Sequence, residues 1–181
     1  PILCTRDLVL FPTVLTPIIL GRSQSIAVLE HFQQQKKGES IFCAFAQKDS
    51  DEENPTQEDL YEIGVFCRLI KMIDLPGQEG QTTIVAQGLG RCKLNKITQS
   101  VPFYEGEVES VSEGWPEKDD AEFALLQQTL RAQTIQLIHA CEDMPNEAEY
   151  ALNNISNPLV RPNFIFSSMP FTVEDEVWTN Q

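Results

Sequence analysis

The chain has 181 residues, a net charge of −14 at neutral pH and 41% hydrophobic residues. That apolar share supports a packed core and argues against wholesale disorder, while the acid excess argues against nucleic-acid binding because carboxylates repel phosphate. No apolar run approaches the ~18 residues that cross a bilayer and no charged-then-apolar signal opens the chain, so no membrane association is expected.

The chain opens on Pro1 without an initiator methionine, as expected of a piece of a larger protein. Apolar residues 8–11 and 18–20 are punctuated by Pro12 and Pro17. Proline cannot donate to an interior ladder, so the pattern predicts strand, loop, strand and then a tight turn at Gly21-Arg22. Ser23 is placed to cap a helix running to about residue 37, with Ile26, Leu29 and Phe32 as its buried face and Gly38 as its left-handed stop. Residues 41–46 form a run of strand length, and an acidic loop broken by Asn54-Pro55 follows.

Residues 63–75 and 82–97 read as two long strands joined by a turn at 76–80. Gly64, Gly88 and Gly90 mark expected bulges or bends. Residues 103–111 alternate Tyr104, Gly106 and Val108 with Glu105, Glu107 and Glu109, the pattern of a half-exposed edge strand. The first ~114 residues therefore predict a strongly bent sheet or open barrel carrying one helix.

Composition changes at Gly114-Trp115-Pro116. Residues 117–141 hold no glycine or proline, and Phe123, Leu126, Leu130, Leu137 and Cys141 fall on one heptad-like stripe that Thr134 interrupts. Met144-Pro145 ends this helix. Residues 147–155 predict a second helix, and residues 159–168 a third whose start is set by Pro158 and which Pro162 disturbs. The expected division is residues 1–114, a β-rich domain, and residues 115–181, a helical part truncated at its C-terminal end.

Chemistry-bearing motifs are scarce. Gly88-Leu89-Gly90 lacks the third glycine of a dinucleotide fingerprint and has strand on both sides, so it reads as structural. A phosphate-binding loop and a nucleophile elbow are both missing from the sequence. His31 and His139 have no cysteines or carboxylates at zinc-site spacing, so no metal is expected. Five cysteines, without a C-x-x-C pair, mostly sit in apolar runs and fit small buried hydrophobes in a reducing, intracellular compartment. Acids crowd residues 49–62 and 105–122, as solvated faces or as a docking surface for basic partners. The candidate binding residues are Phe11, Pro12, Val14 and Leu15, at the first loop: either core packing beneath the barrel or an apolar patch for unfolded segments.

The run Leu3, Arg6-Asp7-Leu8-Val9-Leu10-Phe11-Pro12, Pro17-Ile18, Gly21-Arg22 and Ser25 resembles the N-terminal domain of Lon, the ATP-dependent AAA+ protease. The resemblance continues through Ala46-Gln47-Lys48-Asp49, Asp59-Leu60-Tyr61-Glu62-Ile63-Gly64-Val65 and Gln87-Gly88-Leu89-Gly90-Arg91. It ends on Asn157-Pro158, Phe164-Ile165 and Ser167-Ser168-Met169-Pro170-Phe171-Thr172-Val173-Glu174, similar to the lead into that family's long connecting helix.

The resemblance implies an α+β fold: a PUA-like β-rich pseudo-barrel with one packed helix, then an α-helical bundle. It implies a non-catalytic module that selects and holds misfolded or degron-bearing proteins. It further implies partners in the ATPase and protease domains of the same chain, a cytoplasmic homohexamer, and ATP with Mg, used with a Ser-Lys dyad outside this sequence. No catalytic residue and no cofactor are carried over to this fragment. Arg161-Pro162 departs from the family pattern, and residues 177–181 do not read as the start of a long amphipathic helix. The alternative is a stand-alone Lon-like adaptor or ligand-binding protein.

Overall fold

The computed structural model describes residues 1–34, 40–73, 80–112, 114, 116–117, 120–140, 147–158, 160–169 and 171–180. The expected helix stop at 36–38, the turn at 76–79, Trp115, Cys141 and the break at 144–145 lie outside the described residues.

The first strand is not residues 8–11 but β1, Ile2–Thr5, which pairs in parallel with β3, Ile41–Ala46. Residues 8–11 run as irregular backbone between two left-handed turns, at Asp7 (φ 49°) and Thr13 (φ 69°). They bury Val9, Leu10 and Phe11 without a ladder of their own. Thr5 Oγ1 donates to Leu8 O at 2.6 Å and so satisfies one carbonyl of this segment. Among the described residues β2, Leu15–Leu20, pairs with β5 alone, and that edge position is what tolerates Pro17.

Helix α1, Ser23–Gln34, begins with Ile26 N–H donating to Arg22 O at 3.0 Å. Its inward residues Val28, Leu29 and Phe32 join a cluster with Ile18, Leu20, Phe42, Val65 and Ile84 on one face of the sheet. β4, Ile63–Ile73, and β5, Thr82–Gln99, form the antiparallel pair that the sequence predicts. β5 is long enough to serve two partners along its other side: β2 against residues 82–87, and β6, Glu105–Ser110, against residues 92–99.

Among the described residues the six strands run β1-β3-β4-β5-β2, with β6 also on β5. Ile2 N–H donates to Tyr104 O at 2.8 Å just before β6, bringing the β6 end back to β1 and closing a pseudo-barrel. Ile2, Phe45, Leu60, Cys92, Leu94 and Tyr104 form its second apolar cluster. The register skips Leu89 opposite Phe66/Cys67, the bulge anticipated at the glycine pair. Gly88 is also required by close approach: a Cβ there would stand 2.1 Å from the Phe11 carbonyl oxygen.

The chain divides into two compact units, Pro1–Val111 with Phe171–Gln181, and Ser112–Pro170. In the second unit α2 spans Ala121–Ala140, α3 Glu147–Asn154 and α4 Arg161–Ser168. The heptad-like stripe is corrected here. Leu126 and Leu137 are exposed, whereas Gln127, Thr134 and Ile138 are buried. Thr134 sits on the inward face because its hydroxyl donates back to Leu130 O at 2.8 Å, which satisfies it inside the helix. Ile138, Leu152, Ile165 and Met169 form the small core of this unit. Pro162 does not disturb α4; it stands in the first turn, where no intrahelical donor is needed.

Residues 173–180 are helical as α5, Val173–Asn180. Thr172 starts it: its hydroxyl donates to Asp175 Oδ2 at 2.7 Å and accepts from Asp175 N–H at 3.3 Å. Three acids, Glu174, Asp175 and Glu176, lie in the first turn, favourable to the positive end of the helix dipole. The helical region expected at 115–181 thus contributes its last segment to the first unit.

Candidate functional site

β2 brings an apolar strip to the surface by simple alternation. Ile18 and Leu20 point into the core, so Leu15, Pro17 and Ile19 point away from it. Leu15 is 58% exposed and Ile19 63%. Opposite them on β5 lie half-buried Gln87, Val85 and Thr83. Bulges add two more large side chains to the surface, Ile70 on β4 (50% exposed) and Leu89 on β5 (40%).

A cavity of about 790 Å³ runs beside β2, lined by residues 17–21 and, across from them, by Arg6, Leu8, Ser23 and Glu53. Its polar wall is held by arginines. Arg6 pairs with Glu53 at 3.1 Å. Arg22 donates to Glu52 O at 2.7 Å and to Gln47 Oε1 at 2.5 Å. Buried Gln47 in turn donates to Asp49 O and Glu52 O, both at 3.0 Å, which pins the acidic loop to the barrel. Desolvation and neighbouring Arg6 both lower the Arg22 pKa. Burial pushes the Cys4 thiol in this wall up to about 12, so it stands protonated and is no nucleophile at neutral pH.

The structure separates the four candidate residues from the sequence. Phe11 is 1% exposed and Pro12 is buried, because Gly88 lets the backbone of this turn lie directly on β5. Val14 is half-buried, and only Leu15 is exposed. Ile19, Ile70 and Leu89 extend the apolar surface beyond the sequence candidates. Ile19 was accessible to sequence reasoning: Leu15, Pro17 and Ile19 alternate with Ile18 and Leu20, and Pro17 marks the edge. Ile70 and Leu89 were not, since each sits at a bulge that breaks strand alternation.

Other chemistry-bearing groups are engaged structurally. His31 packs on Phe103 with ring centroids 5.0 Å apart, and His139 Nε2 lies 2.7 Å from Glu149 Oε2. Cys67 and Cys92 are buried, and burial contributes to raising both thiol pKa values. Among the described residues no group of three or more His, Cys, Asp or Glu could hold a metal ion, and no helix is long and apolar enough to cross a membrane.

The family model of the ATP-dependent protease La (Lon) substrate-binding domain matches residues 1–177. A Lon protease of Parabacteroides distasonis is 33% identical over 170 residues, covering 94% of this chain and 20% of that protein. A Lon protease of Porphyromonas gingivalis is 33% identical over 175 residues, with 96% and 20% covered. The chain therefore spans about a fifth of the length of these relatives. The solved N-terminal domain of Mycobacterium avium complex Lon protease aligns over 100% of this chain and 89% of that domain, with a TM-score of 0.69 and 17% identity, a likeness of fold.

Proposed function

This chain belongs to the family of substrate-binding domains of the ATP-dependent protease La (Lon), and from that premise we propose that it recognises and holds misfolded or degron-bearing proteins for the rest of a Lon protease. It is a non-catalytic module. Its contribution is to gather substrate, and the surface that suits this task is the strip around Leu15 and Ile19 rather than Phe11 and Pro12. The observation that carries the reading is the coincidence of the family match along residues 1–177 with two large, exposed aliphatic side chains on one uncharged strand. Apolar side chains kept in water at one place gain free energy when an unfolded segment covers them, at about 25 cal/mol per Å².

In this reading the parent chain is an ATP-dependent serine endopeptidase. Its Ser-Lys dyad and its ATP- and Mg-binding site lie in later domains. The parent works in the cytoplasm as a homohexamer, where several copies of a weak site act together. The recognition barrel is the first unit, to which residues 171–181 return after the helical unit Ser112–Pro170.

The test uses the complete protease. Removing residues 1–114 is expected to slow degradation of a folded, degron-tagged substrate at least about tenfold while ATP hydrolysis continues. Unchanged degradation of that substrate would refute the assignment.

A further inference from the structure

We propose that α5 is a detachable latch: it docks on the barrel through Glu176 and Val177, and it opens together with the Val9 backbone while the sheet stays closed. The chain leaves the first unit at Ser112 and returns to it at Phe171. The latch therefore decides whether residues 173–180 ride on the barrel or trail free of it. This device goes beyond the substrate-binding reading and does not depend on it.

The attachment point lacks a strand partner. Residues 8–11 run without a ladder, so each of their buried backbone groups needs a partner from elsewhere. Thr5 Oγ1 serves the Leu8 carbonyl at 2.6 Å, and Val14 N–H serves the Phe11 carbonyl at 3.3 Å. Val9 N–H is served by α5, where the Glu176 carboxyl accepts its hydrogen bond. Val9 is buried. When α5 lifts away, that N–H loses its acceptor and is satisfied only if water reaches it, so the backbone at Val9 opens with the helix.

The opening has limits on both sides of Val9. Gln47 N–H donates to Thr5 O at 2.9 Å and fixes the chain to β3 before the segment. Thr13 N–H donates to Gly88 O at 2.9 Å and fixes it to β5 after the segment. Leu10 belongs to the apolar cluster that α1 packs on, and Phe11 is buried against β5, so both stay with the sheet. Val9 and Val177 are buried too, yet they belong to neither of the two clusters on the sheet.

The docked contact is small. α5 packs on β4, and among its described side chains Val177 alone is buried. Its start stands off: a cavity of about 700 Å³ lies between Phe171–Glu174 on one side and Asp7, residues 47–50 and Tyr61 on the other. The helix has eight residues, a length that is marginal without support. Its first turn is nevertheless set by its own groups, the paired bonds of Thr172 and Asp175 and the Glu176 N–H bond to Thr172 O at 3.0 Å. A short helix anchored by one aliphatic side chain and one bond to Val9 sits at the low-stability end of the molecule. The paired strands β4 and β5 sit at the high end.

The experiment follows amide exchange of the isotopically labelled 181-residue chain across a series of low urea concentrations. The Val9 and Val177 amides are expected to share one opening free energy and one urea slope, with protection at least about tenfold below that of Ile84 and Ala86 in β5. Val177→Ala should then speed exchange at Val9 by the same factor as at residue 177, at least about fivefold, and leave Ile84 and Ala86 unchanged. Glu176→Ala removes the Val9 acceptor, and its informative readout is faster exchange at Val177. Val9 unchanged in Val177→Ala would mean independent openings and overturns the latch. Val9 and Val177 as protected as Ile84 in the unaltered chain would mean that α5 leaves only when the barrel unfolds, which overturns it equally. If a variant unfolds, the urea series on the unaltered chain decides alone, and different slopes at Val9 and Val177 overturn the proposal.

Discussion

Phe11 and Leu15 are close in sequence, similar in chemistry and opposite in environment. Phe11 is 1% exposed and Leu15 58%. A carboxylate at position 11 would have to be desolvated without a partner and would replace a close-packed ring, a combination that costs at least about 3 kcal/mol. The same group at position 15 enters water, where surface substitutions stay within about 0.5 kcal/mol. Phe11→Asp is therefore expected to collapse the urea midpoint, and Leu15→Asp to leave it nearly unchanged while weakening the binding of an unfolded protein. Equal losses of stability would mean that Leu15 is a core residue. Pro12 signals a surface loop by residue type, yet the approach of Gly88 to the Phe11 carbonyl draws this loop into the core. That approach is a tertiary fact with no local signature, which is why the inward half of the loop was not legible and its outward residue was.

At the scale of elements, α5 offers a pH test. Burial raises the Glu176 carboxyl from its ordinary 4.5 to about 7, opposed by a hydrogen bond from the Val9 backbone. A carboxyl whose folded value is raised binds its proton more tightly when docked. Its stabilising effect is whole below pH 4.5 and is lost as pH rises through about 7. Amide exchange at Val177, corrected for intrinsic rates, should accelerate between pH 5 and pH 8, and Glu176→Gln should flatten that profile. A profile identical in the variant would remove Glu176 as the cause. Elements whose identity rests on periodicity and length were legible: β3, β4, β5, β6 and α1 stand where periodicity and length place them. Residues 8–11 misled because an apolar run becomes a strand only when a neighbour pairs with it, and β3 pairs with Ile2–Thr5 instead. The phase of α2 misled because Thr134 hides its hydroxyl in its own helix and so takes a buried position. Pro162 misled because a proline that breaks a helix interior is favoured in a first turn.

For the molecule as a whole, the question is which residues suffice to fold the barrel that carries β2. Among the described residues, the two apolar clusters packed on the sheet draw on residues between Ile2 and Val108. The strand closure from Ile2 to Tyr104 also lies inside that range. From the returning segment, α5 contributes buried Val177 and the contact of Glu176 with Val9. A chain ending after Ser112 therefore keeps the described sheet pairings and these two clusters, and gives up what α5 covers. It is expected to unfold in one cooperative transition and to melt lower than the full chain. Each kcal/mol lost from a domain of this size lowers the midpoint by about 4–8 °C. The exposed strip around Leu15 and Ile19 is intact in this truncation, so its affinity for an unfolded protein should match that of the full chain. Calorimetry and titration with casein, a naturally unfolded protein, decide the matter. A product that aggregates, or that shows strand content without a cooperative transition, would mean that the barrel depends on residues beyond Ser112 and that recognition cannot be assigned to it alone.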